Sequence, residues 1–132
     1  MSLRQSTDRA AIDALQRLCL PSDEPLSIEE GGVWWITTDL TAFCAIKQTD
    51  TEGHWYLSRA GVVPSARGQG LQKRMIRCRE QFAKKMGAAY VITDCTAENL
   101  ASANSLMACG YRLYAPQYRW ALPNSLYWRK KL

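Results

Sequence analysis

Eleven residues constrain this chain more than any others: Val62-Val63-Pro64-Ser65-Ala66-Arg67-Gly68-Gln69-Gly70-Leu71-Gln72. The run before them, Trp55 to Val63, is strand-like and stops at Pro64, which has no N–H and turns its neighbour away from helix. Gly68 and Gly70 permit a tight turn and leave no side chains in front of the backbone N–H groups. From Gly70 to about Met86 the pattern is helical, with Leu71, Met75, Phe82 and Met86 on one face and Lys73, Arg74, Arg77, Lys84 and Lys85 elsewhere. A strand, a glycine turn and a helix N-terminus bring free N–H groups and the positive end of the helix dipole together beside Arg67, which defines an anion site. It is not a P-loop, because Leu71 and Gln72 stand where Lys-Ser or Lys-Thr is needed. It is not a dinucleotide turn either, because Lys73 stands near the place of the third glycine.

The rest of the chain places this loop in a larger order. Leu3-Arg4-Gln5 reads as a first strand, followed by candidate N-caps Ser6, Thr7 and Asp8 and a helix to about Leu20 with an apolar stripe of Ile12, Leu15, Leu18 and Cys19. Pro21 to Gly32 is an acidic loop or short helix. Val33 to Thr37, Leu40 to Gln48 and His54 to Val63 are strands separated by turns. After the basic helix, Ala89 to Thr93 is a short buried strand and Asp94 to Asn99 a polar break. Leu100 to Cys109 is a helix with Leu100, Ala103, Leu106 and Met107 inward. Tyr111 to Tyr114 and Tyr118 to Leu122 form a last hairpin, and Leu126 to Trp128 adds an edge strand ahead of a basic tail, Arg129-Lys130-Lys131. The order β-α-β-β-β-α-β-α-β-β mixes hairpins with helical crossovers. It predicts an α/β (α+β) fold: one domain over residues 1–132, with a mixed, mostly antiparallel sheet and helices on both faces.

The glycine loop resembles the acyl-CoA loop of the GNAT superfamily of N-acetyltransferases, Val-x-Pro-x-x-Arg-x-x-Gly-x-Gly/Ala: Val62, Pro64, Arg67 and Gly70 match, and Gln72 departs. Asn99-Leu100-Ala101-Ser102 and Cys109-Gly110-Tyr111 resemble the family's second motif, Asn-x-x-Ala/Ser followed by Gly-Phe, and Leu3-Arg4 with Asp8 resembles its opening strand and helix start. The resemblance spans essentially the whole chain. It implies acetyl-CoA as co-substrate, with cofactor-binding residues Val62, Val63, Arg67, Gly68, Gln69, Gly70, Leu71, Gln72, Asn99 and Ser102. It also implies a thioester lying where two parallel strands splay apart, near Val63 and Cys95, and an acceptor between the first helix region and the last hairpin.

Acetyl transfer to an amine needs a base or water path, a donor for the charged carbonyl oxygen and, in some enzymes, an acid for the thiolate. His54, Tyr56 and Ser58 alternate onto one face if no bulge intervenes, and His54 has the ordinary pKa best suited to a base. Glu52 is a weaker candidate. Leu106 stands where the family's usual tyrosine acid belongs, which leaves Tyr111, Tyr114 and Tyr118 as substitutes. The candidate catalytic set is His54, Tyr56 and Tyr114.

Charge is uneven. Up to Gly53 the chain has four basic and nine acidic residues, a net −5, which leaves +10 for the remainder of a chain whose total is +5. The basic half fits a polyanionic cofactor or nucleic acid. Asp23, Glu24, Glu29 and Glu30, facing Tyr114, Tyr118 and Trp120, fit a cationic amine. Five scattered cysteines without a Cys-x-x-Cys pair, and a single histidine, speak for free thiols in a reducing cytoplasm and against a metal site. No run is long and apolar enough for a membrane span, and no signal-peptide core is visible. Three functions stay open: an N-acetyltransferase acting on a protein, polyamine or aminoacyl amine; an acyl-CoA-binding protein with weakened chemistry; and an RNA- or DNA-directed module using the basic helix and tail. The edge strand ending at Tyr127-Trp128 offers a surface for homodimer pairing.

Overall fold

Trp34, Trp35, Ile36, Phe43 and Ile46 are buried on two adjacent strands rich in β-formers, and these strands anchor a seven-stranded sheet. The computed structural model describes residues 2–132. In chain order its elements are β1 (Leu3–Ser6), α1 (Arg9–Cys19), α2 (Ile28–Gly31), β2 (Val33–Thr37), β3 (Ala42–Gln48), β4 (His54–Val62), a 3-10 turn at Pro64–Ala66, α3 (Leu71–Lys85), β5 (Tyr90–Thr96), α4 (Leu100–Ala108), β6 (Arg112–Leu113) and β7 (Ser125–Lys131). The strand order is β1-β2-β3-β4-β5-β7-β6, and only β4 with β5 is parallel. The expected α+β architecture, with a mixed and mostly antiparallel sheet, is the one found.

Alternation divides the sheet's two faces. Trp34, Ile36, Phe43 and Ala45 pack with Ile12, Leu15 and Cys19 of α1. Trp35, Cys44, Ile46, Trp55 and Leu57 pack with Leu71, Met75 and Ile76 of α3 and with Leu106 of α4. Helices therefore cover both faces. On α1 the buried stripe is Ile12, Leu15, Gln16 and Cys19, the i, i+3, i+4, i+7 set, and Leu18 is 62% exposed because it falls outside that set. Gln16 takes the fourth place because its side chain donates to Leu26 O and accepts from Leu26 N, which fastens the loop after α1. On α3 the buried set is Leu71, Met75, Ile76, Arg79 and Ala83, and Met86, past the helix end, is exposed. On α4 Ala103 and Leu106 point inward, while Leu100 and Met107 face solvent.

The C-terminal third departs most from the sequence reading. Tyr118 to Leu122 forms no strand. The seventh strand is Ser125–Lys131, and it lies inside the sheet between β5 and β6, so Leu126 to Trp128 is not an edge. This strand pairs with β5 over its full length, from Tyr90↔Lys131 to Thr96↔Ser125, which also extends β5 three residues past the expected Thr93. The long pairing explains both corrections: β7's hydrogen-bonding edges are used by β5 and β6, and are not presented for pairing with another copy through Tyr127-Trp128. The basic residues at its end belong to the strand. Arg129 lies over the rings of Tyr90 and Tyr114, and Lys130 pairs with Glu80 at 3.0 Å. All five cysteines are free thiols, and no described helix is long and apolar enough to cross a membrane.

Candidate functional site

The site begins where the parallel pair comes apart. Strands β4 and β5 pair over three residues only, His54↔Tyr90, Trp55↔Val91 and Tyr56↔Ile92. Beyond Tyr56 the two strands run on to Val62 and Thr96 without pairing each other. At the fork the buried Thr93 hydroxyl donates to Leu57 O at 3.1 Å and takes the place of the next rung of the ladder.

A bulge lies at the same level on the other edge of β4. The β3–β4 register shifts between Ile46↔Leu57 and Ala45↔Arg59, which leaves Ser58 as the extra residue. Ser58 Oγ donates to Gly31 O at 2.7 Å. Arg59 Nη1 donates to Glu24 O at 2.6 Å and to Gln16 Oε1 at 3.0 Å. Both side chains therefore leave toward α1, and the parity of the strand flips: Val62 packs on the α3 side, as Leu57 does. The expected shared face of His54, Tyr56 and Ser58 is kept, because the parity changes only after Ser58.

A cleft of about 1280 Å3 follows the fork. The glycine loop closes one end of it. Gly68 and Gly70 take φ of +81° and +76°, a left-handed conformation that favours glycine, and a Cβ built at either meets nothing within 4 Å. Helix α3 is capped by Gly70, which has no side chain to offer, and its first turn holds no acidic residue, so the N–H groups of that turn face the cleft unopposed. Arg67 Nε donates to Val62 O at 3.1 Å, which holds its guanidinium at the end of β4. Gln72 borders the cleft beside it. At the other wall Asn99 caps α4, its Oδ1 accepting from Ser102 N at 3.1 Å, and Leu106 lies buried beneath.

Inside the cleft a tyrosine and a carboxylate meet. Tyr56 Oη donates to Asp94 Oδ1 at 2.9 Å and lies 3.2 Å from Oδ2. Burial pushes the Asp94 carboxyl above its ordinary value, and the Tyr56 hydrogen bond opposes that shift. Burial, followed by the charge of Asp94, pushes the Tyr56 hydroxyl well up, so it stays protonated. Trp120 stands edge-on to Tyr56, with centroids 6.1 Å apart. Its buried indole N–H makes no hydrogen bond of ordinary geometry, yet it lies near enough to favour the charged forms of Tyr56 and Asp94.

The sequence-predicted residues thus divide. Tyr56, Val62, Arg67, Gly68, Gly70, Leu71, Gln72, Asn99 and Ser102 border this cleft, whereas Val63 and Gln69 of the expected set are not among its lining residues. His54 sits at the base of β4, its ring stacked on Tyr90 at 4.9 Å and its Nδ1 3.0 Å from Glu52 O. With Tyr114 and Lys47 it lines a second hollow of about 810 Å3, which shares Tyr56 and Trp120 with the first. Asp94 is the residue that sequence reasoning passed over. The sequence places it in a polar break, although Tyr90, Ile92 and Asp94 continue one alternating face of the strand.

A profile of the acetyltransferase (GNAT) family matches residues 3–111, and the chain belongs to that family. No curated protein sequence matches it significantly. Among solved structures, an IAA acetyltransferase from Bacillus cereus superposes with a TM-score of 0.78 at 14% identity, over 99% of this chain and 100% of the other. An acetyltransferase from Bacillus subtilis, solved in complex with CoA, gives 0.76 at 16% identity over 99% of each chain. The ribosomal-protein-S18-alanine N-acetyltransferase of Escherichia coli gives 0.73 at 15% identity over 98% and 94%. At these identities the likeness establishes the fold.

Proposed function

We propose that this protein is an acetyl-CoA-dependent N-acetyltransferase whose acceptor amine loses its proton to Asp94. One observation carries the reading: a helix N-terminus without a side-chain cap and an open glycine loop stand at the end of a forked strand pair that holds a half-buried carboxylate. The residues present fit the co-substrate. The empty space over Gly68 and Gly70 admits phosphates to the loop N–H groups, Arg67 and Gln72 flank them, and the unpaired edges of β4 and β5 offer hydrogen-bonding backbone to an extended amide-bearing arm. When bound, acetyl-CoA supplies an activated acetyl group and a thiol leaving group.

The chain's own residues supply the rest. Asp94 receives the proton of the amine, Tyr56 fixes its orientation, and Trp120 shields both from bulk water. No side chain at position 106 protonates the thiolate, which departs unaided. Asp94 is the carboxylate at the fork, held by Tyr56, and this favours acceptors that present one amine to the fork. A protein amino group, a polyamine and an aminoacyl group all meet that description.

Calorimetric titration of acetyl-CoA tests the reading. Binding is expected for the wild type, with about 10–100-fold weaker binding for Arg67→Glu, the range of a lost charge-assisted hydrogen bond. A wild type that does not bind, or a variant that binds equally, would sink it. Tyr56→Phe leaves Asp94 without its donor. It is expected to lower kcat by about tenfold with acetyl-CoA affinity unchanged, and an unaltered kcat would remove Tyr56 from the reaction.

A further inference from the structure

Arg79 stands in the middle of α3, is 2% exposed and faces the sheet. A fully buried arginine is rare without an acidic partner, yet the ion pairs among the described residues are Arg9–Glu29 and Lys130–Glu80. The neighbouring Glu80 thus gives its carboxylate to Lys130. Arg79 instead spends its donors on backbone: Nε on Met75 O and Nη1 on Ala45 O, both at 3.1 Å. Ala45 is the β3 residue at which the register with β4 changes. Ile46 O lies against Gly32, on the β2 side. Because carbonyls alternate along a strand, Ala45 O points toward β4, into the bulge. The guanidinium therefore reaches from the helix into the irregular gap between β3 and β4, and Arg79 also borders the cleft.

We infer that Arg79 is a positioning residue for acyl transfer: it holds the β4 bulge open from below and places a positive charge without an acidic partner under the fork. The inference rests on the acetyltransferase reading. Two consequences follow from the geometry. A bulge needs a fixed partner to keep one register, and Ala45 O bonded to a rigid, buried fork of donors provides it. The aim of the β4 backbone beyond Leu57, where the thioester carbonyl would gain negative charge, then depends on Arg79, and the nearby cation favours that charge in a site removed from water. The effect belongs to the transition state, so it acts on kcat and not on co-substrate affinity.

The test uses hydroxylamine as acceptor. It is unprotonated at neutral pH and bypasses both Asp94 and acceptor recognition. Thiol release from saturating acetyl-CoA is followed for the wild type, R79K, R79Q and R79M, with acetyl-CoA Kd by calorimetry and Tm for each. The expected result is a Kd within threefold throughout and a kcat at least tenfold lower in R79Q and R79M. R79K should lose only a few-fold, because lysine keeps the charge but has one donor head in place of the fork. If R79Q and R79M do not fold, R79K carries the test: its kcat must fall at unchanged Kd and Tm. An unaltered kcat in a folded variant overturns the inference, as does a loss that tracks Tm and Kd equally in R79K and R79Q. So does a wild type that binds acetyl-CoA but does not accelerate hydroxylamine acetylation. A wild type that fails to bind acetyl-CoA overturns the acetyltransferase reading as well.

Discussion

Asp94→Asn is expected to lower kcat by about 10²–10⁴-fold, the span of a lost general base, while acetyl-CoA affinity stays within a few-fold of the wild type. Asparagine keeps the shape and can accept the Tyr56 hydrogen bond, but it cannot take a proton. The measurement is thiol release with the best amine from an acceptor screen, across pH. In the wild type, kcat/KM should fall on the acid side with a midpoint above the ordinary aspartate value of about 3.9, because burial raises the Asp94 carboxyl. In the variant that limb should vanish. The effect on stability has the opposite sign. A carboxyl whose folded pKa is raised binds its proton more tightly in the folded state, so its contribution to stability falls as pH rises from the ordinary value through the raised one. At neutral pH the half-buried charge is a standing penalty that asparagine lacks, and the variant's Tm should equal or exceed that of the wild type. A rate within threefold of the wild type would show that Asp94 is not the base.

That prediction turns on a residue the sequence hid, and the reason is physical. The glycine loop was readable because its chemistry is local: Pro64 ends a strand, Gly68 and Gly70 adopt left-handed angles, and a helix follows at once. Strands β2, β3 and β4 were readable because short runs rich in β-branched and aromatic residues, bounded by turn residues, leave little choice. The end of β5 was not, because Asp94, Cys95 and Thr96 have no strand preference of their own and are ordered by β7, some thirty residues further along. The same pairing drew the seventh strand away from Tyr118–Leu122, whose aromatic residues suit a strand equally well. The bulge at Ser58 is invisible in sequence, since an extra residue in a ladder is defined only by its partner. Arg79 is similar: at helical spacing it sits on the apolar stripe, but one charged residue among basic neighbours gives no sign that it points inward. Local chemistry thus located the glycine-loop end of the cleft, and long-range pairing set the end that holds Tyr56 and Asp94.

Trp34→Ala is expected to be the most destabilising single truncation on the α1 side, at about 3–5 kcal/mol, the usual cost of emptying a buried tryptophan site, in a domain whose total stability is typically about 5–15 kcal/mol. Trp34 is 1% exposed. Its ring lies directly on Gly31, where any Cβ would collide with it, it stacks with Phe43 at 6.0 Å, and its indole N–H donates to Ile28 O at 2.7 Å. It therefore joins sheet packing to the placement of α2. Gly31 O in turn accepts from Ser58 Oγ at the bulge, so loosening α2 reaches the α1 side of the fork, whereas the glycine loop and α3 lie across the sheet. Urea unfolding should show the loss as a lower midpoint at unchanged slope. Trp34→Phe, which keeps most of the apolar contact but leaves Ile28 O without its donor, should cost about 1–3 kcal/mol. The two variants separate packing from the hydrogen bond. At a temperature where both stay folded, acetyl-CoA affinity should be nearly unchanged and the acceptor KM raised. If acetyl-CoA affinity falls together with stability, the two faces of the sheet are coupled through the bulge, and α2 contributes to the co-substrate side of the cleft as well.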